Sequence, residues 1–282
     1  MKEYILTLSC PDQTGIVHAV SGWLLGRQGN IIDSQQFGDD ETRRFFLRVH
    51  FSLPQAQDVE ALRASFTEVA ARFDMDANLY DSDRRSRVLL LVSRQGHCLN
   101  DLLFRTHTDQ LPIDIVGVAS NHCDFEAMSR AYGLPFHHLP VTPETRAEQE
   151  AQILELVERE KVDLVVLARY MQILSNDLCR ALEGRAINIH HSFLPSFKGA
   201  RPYHQAHTRG VKIIGATAHY VTADLDEGPI IEQDIERVHH GMSAEALVRV
   251  GSDVESLVLS RAVRWHVEHR ILLNGQRTVV FD

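Results

Sequence analysis

The sequence predicts an α/β protein in two parts, a βαββαβ unit followed by a mostly parallel sheet with helices on both faces. Three observations lead there. At 282 residues the chain exceeds the usual size of one compact domain. Its first 80 residues alternate between short strand-like and helix-like runs. Beyond a charged stretch, Asp81-Ser82-Asp83-Arg84-Arg85-Ser86, the strands become near-continuous apolar runs, as in sheets buried on both faces.

Tyr4 to Ser9 is the first strand. Asp12-Gln13-Thr14-Gly15 turns the chain into a helix carrying Ile16, Val17, Val20, Trp23 and Leu24 at helical spacing, with Gly29 as its C-terminal cap. Asn30 to Phe37 and Arg44 to Phe51 read as a hairpin around the polar turn Gly38-Asp39-Asp40-Glu41. A second helix sets Val59, Leu62, Phe66, Val69 and Phe73 three and four apart, and a last strand runs from Met75 to Tyr80. This is the order of a ferredoxin-like unit, assigned to residues 1–82. Residues 86–282 form the second domain, with strands at Val88 to Val92, Ile113 to Val118, Asp163 to Ala168, Ala186 to Ile189 and Ile213 to Val221 in a Rossmann-like arrangement. A final helix, Ser243 to His269, sets Leu247, Val254, Leu257, Val258 and Val263 on one face, either to pack on the sheet or to extend it to a neighbouring subunit.

A net charge of -9 without a long basic run argues against a nucleic-acid partner. No run of about 18 apolar residues exists to span a membrane, and Met1 to Cys10 lacks a signal-peptide core, so a soluble, cytoplasmic protein is expected. Cys10, Cys98, Cys123 and Cys179 are widely separated and read as reduced thiols. A nucleophilic Cys98 beside His97 is the alternative, although adjacent residues rarely face each other productively. Metal binding is not expected. His137/His138, His190/His191 and His204 to His207 lack the His-Glu-x-x-His spacing, and adjacent histidines on a strand point to opposite faces.

In an open parallel sheet, ligands bind beyond the C-terminal ends of the strands. Three stretches there are unusual: Ala168 to Leu174, Asn188 to Pro195, and Asp224 to Pro229. Asn188 and His190 are two apart in an extended segment and share a face. Asn188 offers an amide donor, His190 a donor or acceptor, and Asp226 a carboxylate to orient or charge the imidazole. Such a set polarises a carbonyl, stabilises its oxyanion and holds a water for attack. By itself, Asn-x-His at a strand end is also the pattern of a local hydrogen-bonding pair.

Asn188-x-His190, Leu194-Pro195 with Gly199, and Asp226-x-Gly228 resemble the recurring motifs of the formyltetrahydrofolate-dependent formyltransferase family, from about Arg87 to the C-terminus. The resemblance implies Asn188, His190 and Asp226 as the catalytic trio. It also implies a folate pocket lined, largely through backbone, by Met171, Gln172, Ile173 and Leu174 and by Val221, Thr222, Ala223, Asp224 and Leu225. Within that family the glycinamide ribonucleotide enzyme cradles its acceptor's phosphate in a glycine-rich loop. Here Ser93 to Asp101 keeps one glycine, although Arg94 remains to bind an anion. That loop and Ser120-Asn121-His122 instead resemble the subset called formyltetrahydrofolate deformylases.

Pro11-Asp12-x-x-Gly15-Ile16 and Gly29-Asn30-Ile31 resemble an ACT domain, the ligand-sensing module that this subset carries before its catalytic domain. The combined resemblance implies hydrolysis of 10-formyltetrahydrofolate to formate and tetrahydrofolate, supplying formate for purine biosynthesis and balancing one-carbon folate pools. It implies no permanently bound cofactor, a homo-oligomer, and either an amino-acid effector site at Asp12, Gly15 and Asn30 or a dimerisation module there. Arg94, His122 and Lys198 are candidates for positioning water or an anion; Lys198, Arg201 and His204 either close over the site or are solvated loop residues. Formyl transfer to an amine is the enzymatic alternative. A regulatory protein with a passive pocket is another, against which the intact trio argues.

Overall fold

The computed structural model describes residues 1–191 and 202–281. Two compact units are present. The first contains β1 (Lys2–Pro11), α1 (Ile16–Leu25), β2 (Asn30–Asp39), β3 (Arg44–Leu53), α2 (Val59–Arg72) and β4 (Asp76–Asp81), in the expected βαββαβ order. Its antiparallel sheet runs β2-β3-β1-β4. Alternation along β1 sends Tyr4, Leu6, Leu8 and Cys10 to one face, where they join Leu47, Val49, Phe51 and Leu53 of β3. Ile16, Val20, Trp23 and Leu24 of α1 and Leu62 and Phe66 of α2 close this core from above. Asp58 starts α2 by accepting from the backbone N–H groups of Glu60 and Ala61.

The opposite face of that sheet carries Arg48, which is 3% exposed. Its guanidinium donates to the carbonyls of Glu268 at 3.0 Å and His269 at 3.2 Å. The Tyr80 ring stacks on His269 with centroids 3.5 Å apart, and Asn274 Nδ2 donates to Asp39 Oδ2 at 2.6 Å. The C-terminal segment from Glu268 therefore folds with residues 1–85. This corrects the sequence-based assignment of all of 86–282 to the second domain. Nothing local in the C-terminal residues marks the change of allegiance, because their partners lie more than 200 positions earlier.

The second unit runs through β5 (Ser86–Val92), α3 (His97–His107), β6 (Ile113–Ser120), α4 (Glu126–Ala131), β7 (Phe136–His138), α5 (Arg146–Arg159), β8 (Leu164–Leu167), α6 (Asn176–Ala181), β9 (Ala186–His190), α7 (Pro202–Arg209), β10 (Ile213–Tyr220), β11 (Ile230–Arg237) and α8 (Ala244–Val267). Its sheet is ordered β11-β10-β9-β8-β5-β6-β7, parallel from β9 to β7 and antiparallel at β10 and β11. Leu89 and Leu91 join Ile153 and Leu156 of α5 and Leu178 of α6, while Leu90 and Val166 between them are equally buried. Covering on both faces explains why the strands are apolar throughout. Of the two roles open to the last helix, α8 takes the first and packs on β9, β10, β11 and α3. Among the described residues no helix is long and apolar enough to cross a membrane. A terminal hairpin, β12 (Ile271–Asn274) and β13 (Arg277–Val280), completes the first unit.

Removing 268–282 strips the buried Arg48 guanidinium of its carbonyl partners, which costs on the order of 1–3 kcal/mol or more for a charged group. Scanning calorimetry of the truncated chain should show an unfolding transition shifted to lower temperature. An unshifted profile would show that the hairpin contributes nothing to the first unit.

Candidate active site

Sequence neighbours β5 and β6 lie to one side of the switch in strand order and β8 to the other, so a crevice opens at the C-terminal ends of β5, β8 and β9. Ser93, 3% exposed at the end of β5, holds it together. Its N–H donates to the Arg169 carbonyl at 3.2 Å, and its hydroxyl accepts from Met171 N at 2.9 Å while donating to Asn121 Oδ1 at 2.8 Å. Arg169 leaves β8 with φ of 65°, turning the following residues across the crevice. The resulting cleft of about 200 Å³ is lined by Met171, Gln172, Ile173 and Leu174, by Asn188, His190 and His191, and by Val221, Thr222, Ala223, Leu225 and Asp226. Met171, Ile173 and Leu225 leave more than half of their surface exposed, making an apolar rim.

Asn188 and His190 project from one face of β9, with Ile189 buried on the other. Asp226 Oδ2 stands 3.4 Å from His190 Nδ1, and the hydrogen bond with His190 holds the Asp226 carboxyl below the usual carboxylate range. Asp226 itself has φ of 58°. The loop behind it can lie so close to β10 only because position 228 is glycine: a Cβ there would sit 1.8 Å from the Tyr220 carbonyl oxygen. That close approach is the physical content of the Asp-x-Gly motif.

The sequence reading missed His219. It faces Asn188 across the β9–β10 ladder and is 2% exposed. Its Nδ1 lies 2.9 Å from the Tyr220 carbonyl, which can only accept, so Nδ1 carries the proton. Burial lowers its pKa and keeps it neutral, leaving Nε2 to accept from Asn188 Nδ2 at 3.3 Å. The Asn188 amide is thereby oriented with its nitrogen toward His219. Only strand pairing brings these two together, and no local signal marks it.

His191 departs from expectation. Alternation predicts it on the face opposite His190, yet β9 ends at His190 and the two rings stack, with centroids 4.8 Å apart and 18° between planes. Arg169 and Tyr170 also line the cleft without having been singled out. Conversely, Arg94 and Asp224 are exposed and His122 is half-buried beside Asn121, and none of the three is among the lining residues. Lys198, Arg201 and the Leu194-Pro195 and Gly199 motif lie outside the described residues. Asp12, Gly15 and Asn30 belong to the first unit: Asp12 follows β1, Gly15 with φ of 97° precedes α1, and Asn30 opens β2.

The one glycine kept in the loop after β5, Gly96, caps α3 where a Cβ would lie 2.3 Å from the Phe125 ring, so packing accounts for it. Cys98 is buried, and burial together with Glu255 pushes its thiol well above the ordinary range, which removes the thiolate a nucleophile needs. Among the described residues, His97, Cys98 and Glu255 bring three ligand atoms within 4.8 Å of one another. The Glu255 oxygens there already accept from His97 at 2.7 Å and Tyr203 at 2.6 Å.

Two outcomes follow from this packing. Gly228→Ala should lower stability by about 1–3 kcal/mol, read as a reduced urea midpoint; an unchanged midpoint would show that the loop has room for a side chain. His191 and His219 both bind a proton less readily folded than unfolded, His191 only near about 4. The unfolded chain therefore takes up protons first as pH falls below about 6.5, and stability declines. The urea midpoint should be lower at pH 5 than at pH 7, and a flat profile would contradict the neutral, buried state of these rings.

Residues 86–263 match the formyl transferase family. Over 279 residues the chain is 53% identical to the formyltetrahydrofolate deformylase of Corynebacterium sp. (strain P-1), covering 99% of this chain and 98% of that one. The crystal structure of formyltetrahydrofolate deformylase from Burkholderia mallei ATCC 23344 superposes with a TM-score of 0.96 at 52% identity, covering 100% of both chains. Glycinamide ribonucleotide transformylase 1 from Symbiobacterium toebii superposes with a TM-score of 0.67 at 32% identity, over 73% of this chain and 98% of that one. With near-complete coverage by such relatives, and with the cleft built as described, the chain belongs to the formyltetrahydrofolate deformylases.

Proposed function

We propose that the protein hydrolyses 10-formyltetrahydrofolate to formate and tetrahydrofolate, with Asn188, His190 and Asp226 acting on the formyl group. The observation that carries this reading is the convergence of three unlike groups on one end of the cleft. His190 is paired with the Asp226 carboxylate at 3.4 Å, and Asn188 beside it is oriented by the neutral His219.

The folate lies along Met171 to Leu174 and Val221 to Leu225, its apolar surface against the exposed rim. A water held by Asp226 and His190 attacks the formyl carbon, and His190 takes a proton from it. The oxyanion that forms accepts from the Asn188 amide and from protonated His190, an arrangement worth about 10²–10³-fold per donor. The bond from carbon to N10 then breaks, N10 takes up a proton, and formate leaves. Asp226, ionised at neutral pH, stabilises the imidazolium. No permanently bound cofactor takes part in these steps.

In the same reading the first unit is an ACT domain. Its βαββαβ order supports this, with Asp12, Gly15 and Asn30 at the turns where an amino-acid effector would bind. The enzyme works as a cytoplasmic homo-oligomer, supplying formate for purine biosynthesis and balancing one-carbon folate pools.

Formate release from 10-formyltetrahydrofolate, with chelator present and no amine acceptor, tests the reading. Stoichiometric formate is expected, abolished in His190→Ala. Asp226→Asn should lose at least about 10²-fold in kcat while binding folate within a few-fold of the unaltered protein. Formate appearing only after an amine is added would make the protein a transferase, and near-normal turnover in Asp226→Asn would remove Asp226 from the mechanism.

A further inference from the structure

Beside His190 runs a hydrogen-bonded chain, centred on the buried Arg169 and Glu255, that the trio does not use. Arg169, 6% exposed, spreads its guanidinium among three groups. Its Nε donates to Gln95 Oε1 at 2.8 Å and lies 3.3 Å from Glu255 Oε2, its Nη2 also donates to Gln95, and its Nη1 stands 2.8 Å from His191 Nδ1. Glu255, on α8, is 1% exposed. Burial opposes its ionisation, but hydrogen bonds from His97 and Tyr203 and the charge of Arg169 hold it below its ordinary range. The packing is built for this contact: a Cβ on Gly251, one turn before Glu255, would meet the Tyr203 ring at 2.2 Å.

A guanidinium has only donors, so the short contact from Arg169 Nη1 requires His191 Nδ1 to accept. The proton of the neutral His191 ring must then sit on Nε2, and a second proton would set N–H against N–H. Among the described residues, the charged and titratable groups facing this ring are Arg169, His190, Glu255 and Asp226, with the Tyr203 ring at 6.4 Å. Burial and Arg169 outweigh the two carboxylates. Because the His190 and His191 rings stack, charging one resists charging the other.

We infer that Arg169, anchored on Glu255, is a positioning residue that locks His191 as the uncharged Nε2–H tautomer and so reserves the proton of the stacked imidazole pair for His190. This rests on the proposed role of His190 as the proton carrier. It makes Arg169 and Glu255 part of the machinery of deformylation without either touching the reacting carbon.

Ring-nitrogen NMR on the ¹⁵N-histidine-labelled full chain tests it without substrate. In the unaltered protein, His191 should show an unprotonated Nδ1 and a protonated Nε2 across the whole interval from about pH 5 to about pH 8. In Arg169→Met, Nδ1 of His191 is no longer held as an acceptor, so the tautomer should cease to be fixed and the ring should titrate at a higher pH than in the unaltered protein, still below the ordinary histidine value because burial remains; kcat/KM should fall about tenfold further between pH 7.5 and pH 5.5 than in the unaltered protein. Should that variant fail to fold, Arg169→Lys keeps a cation without the fork and gives the same readouts, smaller in size. A charged or Nδ1-protonated His191 in the unaltered protein at pH 6, or a tautomer unchanged in the folded variant, would overturn the inference. The NMR result stands apart from turnover, so failure to release formate would count against the deformylase reading alone.

Discussion

The antiparallel pairing of β10 with β9 is the constraint on which the rest of the site depends. Within a mostly parallel sheet it is a local exception, and it sets His219 directly across from Asn188. The same reversal sends the chain into a return loop that carries Asp226 back to His190. A parallel strand in that place would need a long crossover before the next one and could not return the chain so tightly. The donor and the imidazole thus come from one strand and the carboxylate from the turn that follows its neighbour, held by ladder hydrogen bonds and by a glycine that lets the turn sit on Tyr220.

Charge is managed around this pairing in two ways. Asp226 is only partly withdrawn from solvent and is kept ionised mainly by the hydrogen bond with His190. Glu255 is fully withdrawn, and a buried carboxylate carries a desolvation cost of several kcal/mol that only a complete set of partners offsets. His97, Tyr203 and Arg169 form that set. Between the two carboxylates stand the stacked rings of His190 and His191. One ring faces a carboxylate and the other a guanidinium, so chemically identical side chains at adjacent positions have opposite electrostatic surroundings.

The site also shows how a fold shared with formyl-transferring relatives carries hydrolysis. The relationship to glycinamide ribonucleotide transformylase covers 73% of this chain. At the end of β5, Ser93 ties three loops together, and Gln95 and His97 hold Arg169 and Glu255.

The sequence alone determined what depends on local pattern: the βαββαβ order of the first unit, the strands β5, β6, β8, β9 and β10 and the last helix of the second, and the cysteines as free thiols, while β7, β11, β12 and β13 went unread; its motifs singled out Asn188, His190 and Asp226, which share one cleft. Hydrophobic period and turn chemistry act within a few residues and can be read without knowing what lies opposite. Only the tertiary structure decided the placement of His219 under Asn188, the stacking of His191 on His190, the Arg169 and Glu255 pairing and the return of the C-terminal hairpin to the first unit. The stack joins neighbours where the strand ends, and each of the others joins groups on different elements, from 31 positions apart for Asn188 and His219 to 235 for Asn274 and Asp39. Their proximity comes from sheet order and burial, and a side chain's partner across a sheet leaves no trace in its own neighbours along the chain.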